Sequence, residues 1–166
     1  VAPIETDRLI LREYTVEDAP FTLALGSDPD VLRYTGETPL ATLEDARRML
    51  REAPLADYAT YGYGRLLCVL KGTGEPIGFS GLKYLPELGE TDVGYRFLRP
   101  YWGRGFATES ARAAMNYGRT RLGLERIVGL VDPRNRASVR VLEKLGLVFE
   151  KTLFMEDMGH EVDVYA

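Results

Sequence analysis

Apolar and polar positions alternate along the chain with two periods, and the change between them marks the elements. Residues 8–14 alternate at period two and predict a strand. Thr15, followed three residues later by Asp18, has the form of a helix cap, and Val16, Pro20, Leu23 and Ala24 then share a face up to Gly26. Thr42 repeats the pattern ahead of Leu43, Ala46, Leu50 and Ala53, with Glu44 and Asp45 suiting the helix dipole and Pro54 stopping the helix. Residues 65–71, 77–85 and 91–98 read as an antiparallel meander joined by Gly- and Pro-containing turns, with Val93, Tyr95 and Phe97 on one face. The rhythm then changes. Residues 108–122 predict a helix whose face carries Ala111, Ala114, Met115, Gly118 and Leu122, with Gly123 as its cap. A strand over 126–131, a helix over 135–145 and closing strands over 148–154 and 161–165 follow. The pattern predicts an α/β fold: a mixed central sheet, antiparallel meander then β-α-β-α-ββ, flanked by helices on both faces.

Composition narrows this picture. The 166 residues suit one domain spanning 1–166. The longest apolar runs, 66–70 and 127–131, are strand-sized, so no membrane span is expected. No charged start followed by an apolar stretch marks a signal peptide, although Val1 is not a Met and leaves room for a removed leader. A net charge of −4 argues against a nucleic-acid partner. One cysteine, Cys68, and one histidine, His160, exclude a disulfide framework and a Cys- or His-rich metal site; no metal is expected, and a reducing, cytoplasmic setting is. The composition leaves monomer and homodimer equally open.

Two segments carry candidate chemistry. Arg99 to Glu109 (RPYWGRGFATE) leaves a strand and opens a helix. Gly103 and Gly105 allow a tight turn with exposed N–H groups, and the helix start adds unpaired donors and partial positive charge, a geometry that binds phosphate oxygens. Arg104 adds a charge and Thr108 a hydroxyl. A plain strand-to-helix turn is the alternative. The loop lacks the Gly-Lys-Ser/Thr of a Walker motif. It approaches a dinucleotide fingerprint, with Asp132 ending the next strand, but Thr108 stands where the third glycine belongs. The second segment is Asp132 to Ser138 (DPRNRAS). Asn135, Ser138 and Leu142 share one helical face, so the Ser138 hydroxyl points inward, towards a ligand or a bond within its own helix.

Tyr101 to Glu109 (YWGRGFATE), Asn135 to Ser138 (NRAS) and Glu143 to Glu150 (EKLGLVFE) together resemble the GNAT family of N-acetyltransferases. The opening Glu5 to Arg12 (ETDRLILR) resembles the branch that acetylates ribosomal-protein N-termini. The likeness covers nearly the whole chain. The family's Gln/Arg-x-x-Gly-x-Gly/Ala loop carries Trp102 at its first position here, a replacement usual within that branch. The resemblance implies the GNAT fold and acetyl-CoA as cosubstrate. It implies that the loop of Gly103, Arg104, Gly105, Phe106, Ala107 and Thr108 binds the pyrophosphate. Phe97, Leu98 and Arg99 would pair with the pantetheine arm, in a slot opened by a splay between that strand and the strand over 126–131. Asn135 would contact the pantetheine, and Ser138 would stand near the thiol.

The implied reaction is direct attack of a primary amine, a protein N-terminus or a small-molecule amine, on the thioester within a ternary complex. Cys68, inside an apolar strand and without a neighbouring histidine, is no nucleophile. A backbone N–H near Phe97 is the candidate oxyanion donor. Ser138 is the first candidate to protonate the thiolate and a nearby tyrosine the second. Asp92, Glu156 and Asp157 are the candidate bases, with His160 a further one. Glu37, Glu44, Asp45, Glu87, Glu90 and Asp92 would form an acidic rim favouring a cationic acceptor. The alternatives are a catalytically inactive CoA-binding sensor or interaction module, and an NAD-binding oxidoreductase built on the glycine loop.

Overall fold

Eight strands fall into two antiparallel sheets in the computed structural model, which describes residues 2–166. The first has the order β1 (Ile4–Glu5), β2 (Leu9–Arg12), β3 (Arg65–Leu70), β4 (Pro76–Leu85) and β5 (Glu90–Phe97). The second has the order β6 (Gly129–Val131), β8 (His160–Tyr165), β7 (Phe149–Met155). The two meet at one parallel bridge, Asp92 with Val128. The predicted mixed sheet is thus an antiparallel meander and a small antiparallel sheet hinged at one parallel contact.

Helices cover both faces. α5 (Phe106–Thr120) and α6 (Arg136–Lys144) lie on one. They enclose a core of Leu82, Val93, Ala111, Met115, Val131, Leu142 and Tyr165. Phe97 and Phe106 extend it towards Leu9, Leu11 and Ile77. The other face buries Leu67 against Tyr14, Ala19, Ala46 and Leu50. Here stand α1 (Ala19–Gly26), the short α2 (Pro29–Leu32), α3 (Leu43–Leu50) and α4 (Ala56–Tyr61).

Both predicted capping boxes are present. Thr15 and Asp18 open a 3₁₀ turn that feeds α1, and Thr42 and Asp45 open α3. Pro54 does not stop its helix. A π-helical turn, Arg51–Leu55, takes in the proline and passes the chain into α4. A widened turn needs fewer regular i→i−4 bonds, so the missing proline N–H is absorbed. The helix predicted over 108–122 begins and ends two residues earlier, because Gly105, at φ 82°, already occupies its N-cap position. Leu32 of α2 is buried, and the four-residue element gives no periodicity to read.

Candidate active site

Val93 is where the sheet parts. Its N–H donates to Val128 O at 2.8 Å, and Val128 N–H donates to Thr91 O at 2.9 Å. Beyond this point β6 turns to β8, pairing Val131 with Asp163. Alternate strand residues present their N–H and C=O to the same edge. Val93 faces the bridge, so Tyr95 and Phe97 turn their backbone groups into the opening wedge. Leu98 faces the other way, its N–H bonded to Ile77 O at 3.0 Å. The Phe97 carbonyl is taken by Trp102 Nε1–H at 2.7 Å, which pins the strand end to the loop. The wedge edge therefore offers the N–H groups of Tyr95 and Phe97 and the carbonyl of Tyr95. A backbone donor near Phe97 was the expectation; this register identifies the two N–H groups that face the wedge.

At the strand's end, the turn Arg99–Tyr101 leads into the loop ahead of α5. Gly103 and Gly105 have φ of 70° and 82°, a region in which a Cβ is strained. No side chain caps α5. Its first N–H groups, at Phe106, Ala107 and Thr108, thus lack intrahelical acceptors and point out of the helix start. Phe106 is buried, with its ring 6.2 Å from Phe97 and 6.1 Å from Tyr101. The Arg104 guanidinium lies over both Tyr101 and Phe106.

Arg8 joins this loop, and the sequence reading missed it. Its guanidinium stands 4.1 Å above the Phe106 ring. A Cβ added at Gly105 would come within 3.4 Å of its Nη2. Glu109 holds it there, accepting from Arg8 Nε at 2.7 Å, Arg8 N at 3.0 Å and Thr6 Oγ1 at 2.6 Å. Burial works against ionising Glu109, but these donors outweigh it and hold the carboxyl below its usual range. Two guanidinium groups thus flank an uncapped helix start, an arrangement suited to a polyanion.

Across the wedge, α6 begins differently. Asn135 caps it, its Oδ1 accepting from Ser138 N at 3.3 Å. The Ser138 hydroxyl lies 2.9 Å from Tyr95 Oη, and Tyr95 also donates to Ser138 O at 3.2 Å. Ser138 therefore meets a tyrosine, and that tyrosine is Tyr95. Burial pushes the Tyr95 phenol up to about 12, although the Ser138 bond works against this, so it is a proton donor at neutral pH. Alternation had put Tyr95 on the inward face of its strand; its partner lay too far along the chain to be read.

The other predicted residues lie apart from this pair. Asp92 is buried on the closed side of the bridge, 2.9 Å from Arg65. Burial raises its carboxyl pKa in spite of that cation. The Arg99 side chain reaches Asp28 at 2.7 Å and Asp30 at 3.1 Å, fastening α2 to the loop. Glu156 and Asp157 are exposed in the turn between β7 and β8. The expected acidic rim does not form as one surface. Glu37 pairs with Arg96, Glu44 and Asp45 with arginines of their own helical run, Glu90 with Arg126, and Asp92 with Arg65. These five acids each meet a nearby arginine, so most of the rim's charge is neutralised, Glu87 aside. Cys68 is buried, and desolvation raises its thiol well above the ordinary value, against activation as a nucleophile.

Comparison with known proteins identifies the family. Residues 8–148 match the acetyltransferase (GNAT) domain family. The chain is 35% identical to the uncharacterized N-acetyltransferase p20 of Bacillus licheniformis, over 96% of this chain and 91% of the relative. It is 27% identical to the spermidine N(1)-acetyltransferase of Escherichia coli, over 88% of this chain and 76% of that one. A crystal structure of an acetyltransferase from Agrobacterium tumefaciens superposes with a TM-score of 0.84 at 27% identity, covering 100% of this chain and 95% of the other. These matches set aside the oxidoreductase alternative: the chain belongs to the GNAT family, and is an acetyl-CoA-dependent N-acetyltransferase.

Proposed function

We propose that the protein transfers the acetyl group of acetyl-CoA to a primary amine by direct attack in a ternary complex. The observation that carries this reading is the parted sheet. One free edge of β5 opens between an uncapped helix start and a pair of hydroxyls. Gly103, Arg104, Gly105, Phe106, Ala107 and Thr108, joined by Arg8, hold the diphosphate. The Tyr95 carbonyl and the Phe97 N–H pair with the amides of the pantetheine arm, and Asn135 lies beside it.

The amine nitrogen attacks the thioester carbon. The oxygen that becomes negative is met by an N–H on the wedge edge, a preorganised donor that costs no reorganisation. The C–S bond then breaks. Ser138 gives the thiolate sulfur a proton and takes one from Tyr95, whose phenol is protonated at working pH. No acyl-enzyme forms, consistent with a buried Cys68. The acceptor is of the primary-amine class, and the similarity to a spermidine acetyltransferase adds polyamines to protein N-termini as the first to try.

The test has two parts. A thermal-shift series with CoA and NAD should show stabilisation by CoA alone. A thiol-release assay with acetyl-CoA, run across a peptide with a free N-terminus, spermidine and small primary amines, should then show turnover with at least one. Binding of CoA without release of thiol from any amine would make the chain a sensor and sink the proposal.

A further inference from the structure

His160 is the chain's single histidine, and β8 carries it to the end of β6. Its Nδ1 lies 2.8 Å from the carbonyl oxygen of Glu161. A carbonyl only accepts, so Nδ1 carries the proton and Nε2 is the bare nitrogen. Nε2 is buried, makes no hydrogen bond, and faces Asp132 Oδ2 at 3.7 Å. That carboxylate has a side chain only 2% exposed. Arg134 fixes it from behind, Nη2 donating to Oδ2 at 2.6 Å and the backbone N to Oδ1 at 2.9 Å. Arg134, against the cost of burial, holds the Asp132 carboxyl below its usual range, so it stays ionised. A bare imidazole nitrogen turned towards an ionised carboxylate is a poor pairing until a proton or a cation lies between them.

The pair stands just beyond β6, the strand that borders the wedge. Asp132 follows the last residue of β6, where the two sheets have separated. Asn135 N–H donates to Asp132 O at 2.8 Å, and Ser138 lies in the first turn of the helix that follows. The loop after α2 walls the pair. Its Gly36 packs on the backbone of Met158, in the turn just ahead of His160, and Tyr34 lies under Arg134.

We propose that His160 Nε2 is the base that deprotonates the acceptor ammonium, with Asp132 the positioning residue that draws the ammonium to it. This assignment rests on the amine-acetylation reading above and deepens it. An ammonium between the two groups is neutralised by the carboxylate and loses one proton to Nε2. The freed lone pair forms the N–C bond, and the C–S bond breaks. The second proton leaves the nitrogen as the amide forms and replaces the one that the Ser138–Tyr95 pair gave to sulfur. The imidazolium then returns its proton to water. The charged groups facing His160 are Asp132, just after β6, and, through it, Arg134; its strand partner Met155 on β7 carries no charge. Glu37, on the loop after α2, is occupied by Arg96.

The experiment is the thiol-release rate against pH, from 6 to 10, for wild type, His160→Gln and Asp132→Asn, with spermidine and an alanine-starting peptide as acceptors. For His160→Gln we expect kcat/KM to fall about 100-fold near pH 7, the lower end of general-base contributions. The deficit should shrink about tenfold per pH unit towards the acceptor's own pKa, because free amine then needs no base. Affinity for CoA should not change. An undiminished rate, or one reduced equally at every pH, overturns the assignment, the second outcome marking a strut. If neither wild type nor variant releases thiol with any amine, the acetylation reading falls and this assignment with it; wild-type turnover separates the two failures. The ¹⁵N shifts of the single imidazole give a readout free of turnover and of variant folding. The Nδ1–H tautomer is expected in the neutral ring, and the Nε2–H tautomer would overturn the proposal.

Discussion

The turn from β5 into α5 and the turn from β6 into α6 occupy equivalent places in successive strand–helix units, yet they start their helices in opposite ways. α5 begins at a left-handed glycine with no side-chain cap. α6 begins at Asn135, which caps the Ser138 N–H with its own side chain. The first leaves its donors to be satisfied from outside, and the second satisfies one itself and offers a hydroxyl instead. One junction is thus backbone chemistry suited to a charged tail, the other side-chain chemistry suited to a reacting centre. The parted sheet between them sets how they are used together.

The sharpest way to break this contrast is to give α5 a cap of its own. Gly105→Asp places a carboxylate where the diphosphate is expected, and aspartate is among the residues that tolerate the left-handed region. A like charge at about 4 Å costs about 4 kcal/mol at a half-exposed site, so CoA affinity should fall about 10³-fold by calorimetry. Retained affinity would mean that the diphosphate binds elsewhere. The reciprocal change is Ser138→Ala. It removes the hydroxyl but leaves the cap, so kcat should drop about 100-fold while CoA affinity holds. A matching loss in both quantities would move Ser138 from chemistry to binding.

How much of each junction could be read from sequence follows from how local its causes are. The loop of Gly103 to Thr108 was legible because glycines, helix start and Arg104 lie within a few residues, and so were the boxes at Thr15–Asp18 and Thr42–Asp45. Tyr95 was not, because the Ser138 hydroxyl that gives it meaning is 43 positions away. Arg8 was hidden for the same reason, its orienting carboxylate Glu109 lying 101 positions on. α2 is held by the ion pairs from Arg99, which no window of sequence contains. The surroundings of Asp92 were hidden as well. Its place on β5 looked accessible, and only the fold shows that Arg65 occupies it.

The charges around α5 sharpen the contrast further. Arg104→Ala removes one of two guanidinium groups beside the helix start and should weaken CoA binding about tenfold, the worth of one charge-assisted bond. The loss should shrink as salt is raised, since the Arg104 head is near solvent. On the α6 side, Asn135→Ala removes a cap and should cost about 1 kcal/mol of stability, lowering Tm by about 2–4 °C. Equal salt sensitivity at both junctions would erase the distinction between them.

The smallest effect concerns the clasp that aims Arg8. Glu109 is held below its ordinary carboxyl pKa in the folded chain by Thr6 and Arg8, which prevail over the opposing cost of burial. A depressed folded pKa means that the unfolded chain binds the proton more tightly. The resulting stability is complete above the unfolded value, about 4.3, and fades as pH falls through the folded one. In urea titrations wild type should therefore exceed Glu109→Gln by a constant margin from pH 7 to about 5, with the margin closing towards pH 3. The glutamine keeps the shape and one acceptor oxygen, so the difference reports the charge. If the margin persists at pH 3, the clasp acts through packing, and the guanidinium of Arg8 is held over Phe106 by the ring rather than by the carboxylate. That outcome would leave α5 without the long-range ion pair that, on this reading, ties the first strands of the chain to its anion site.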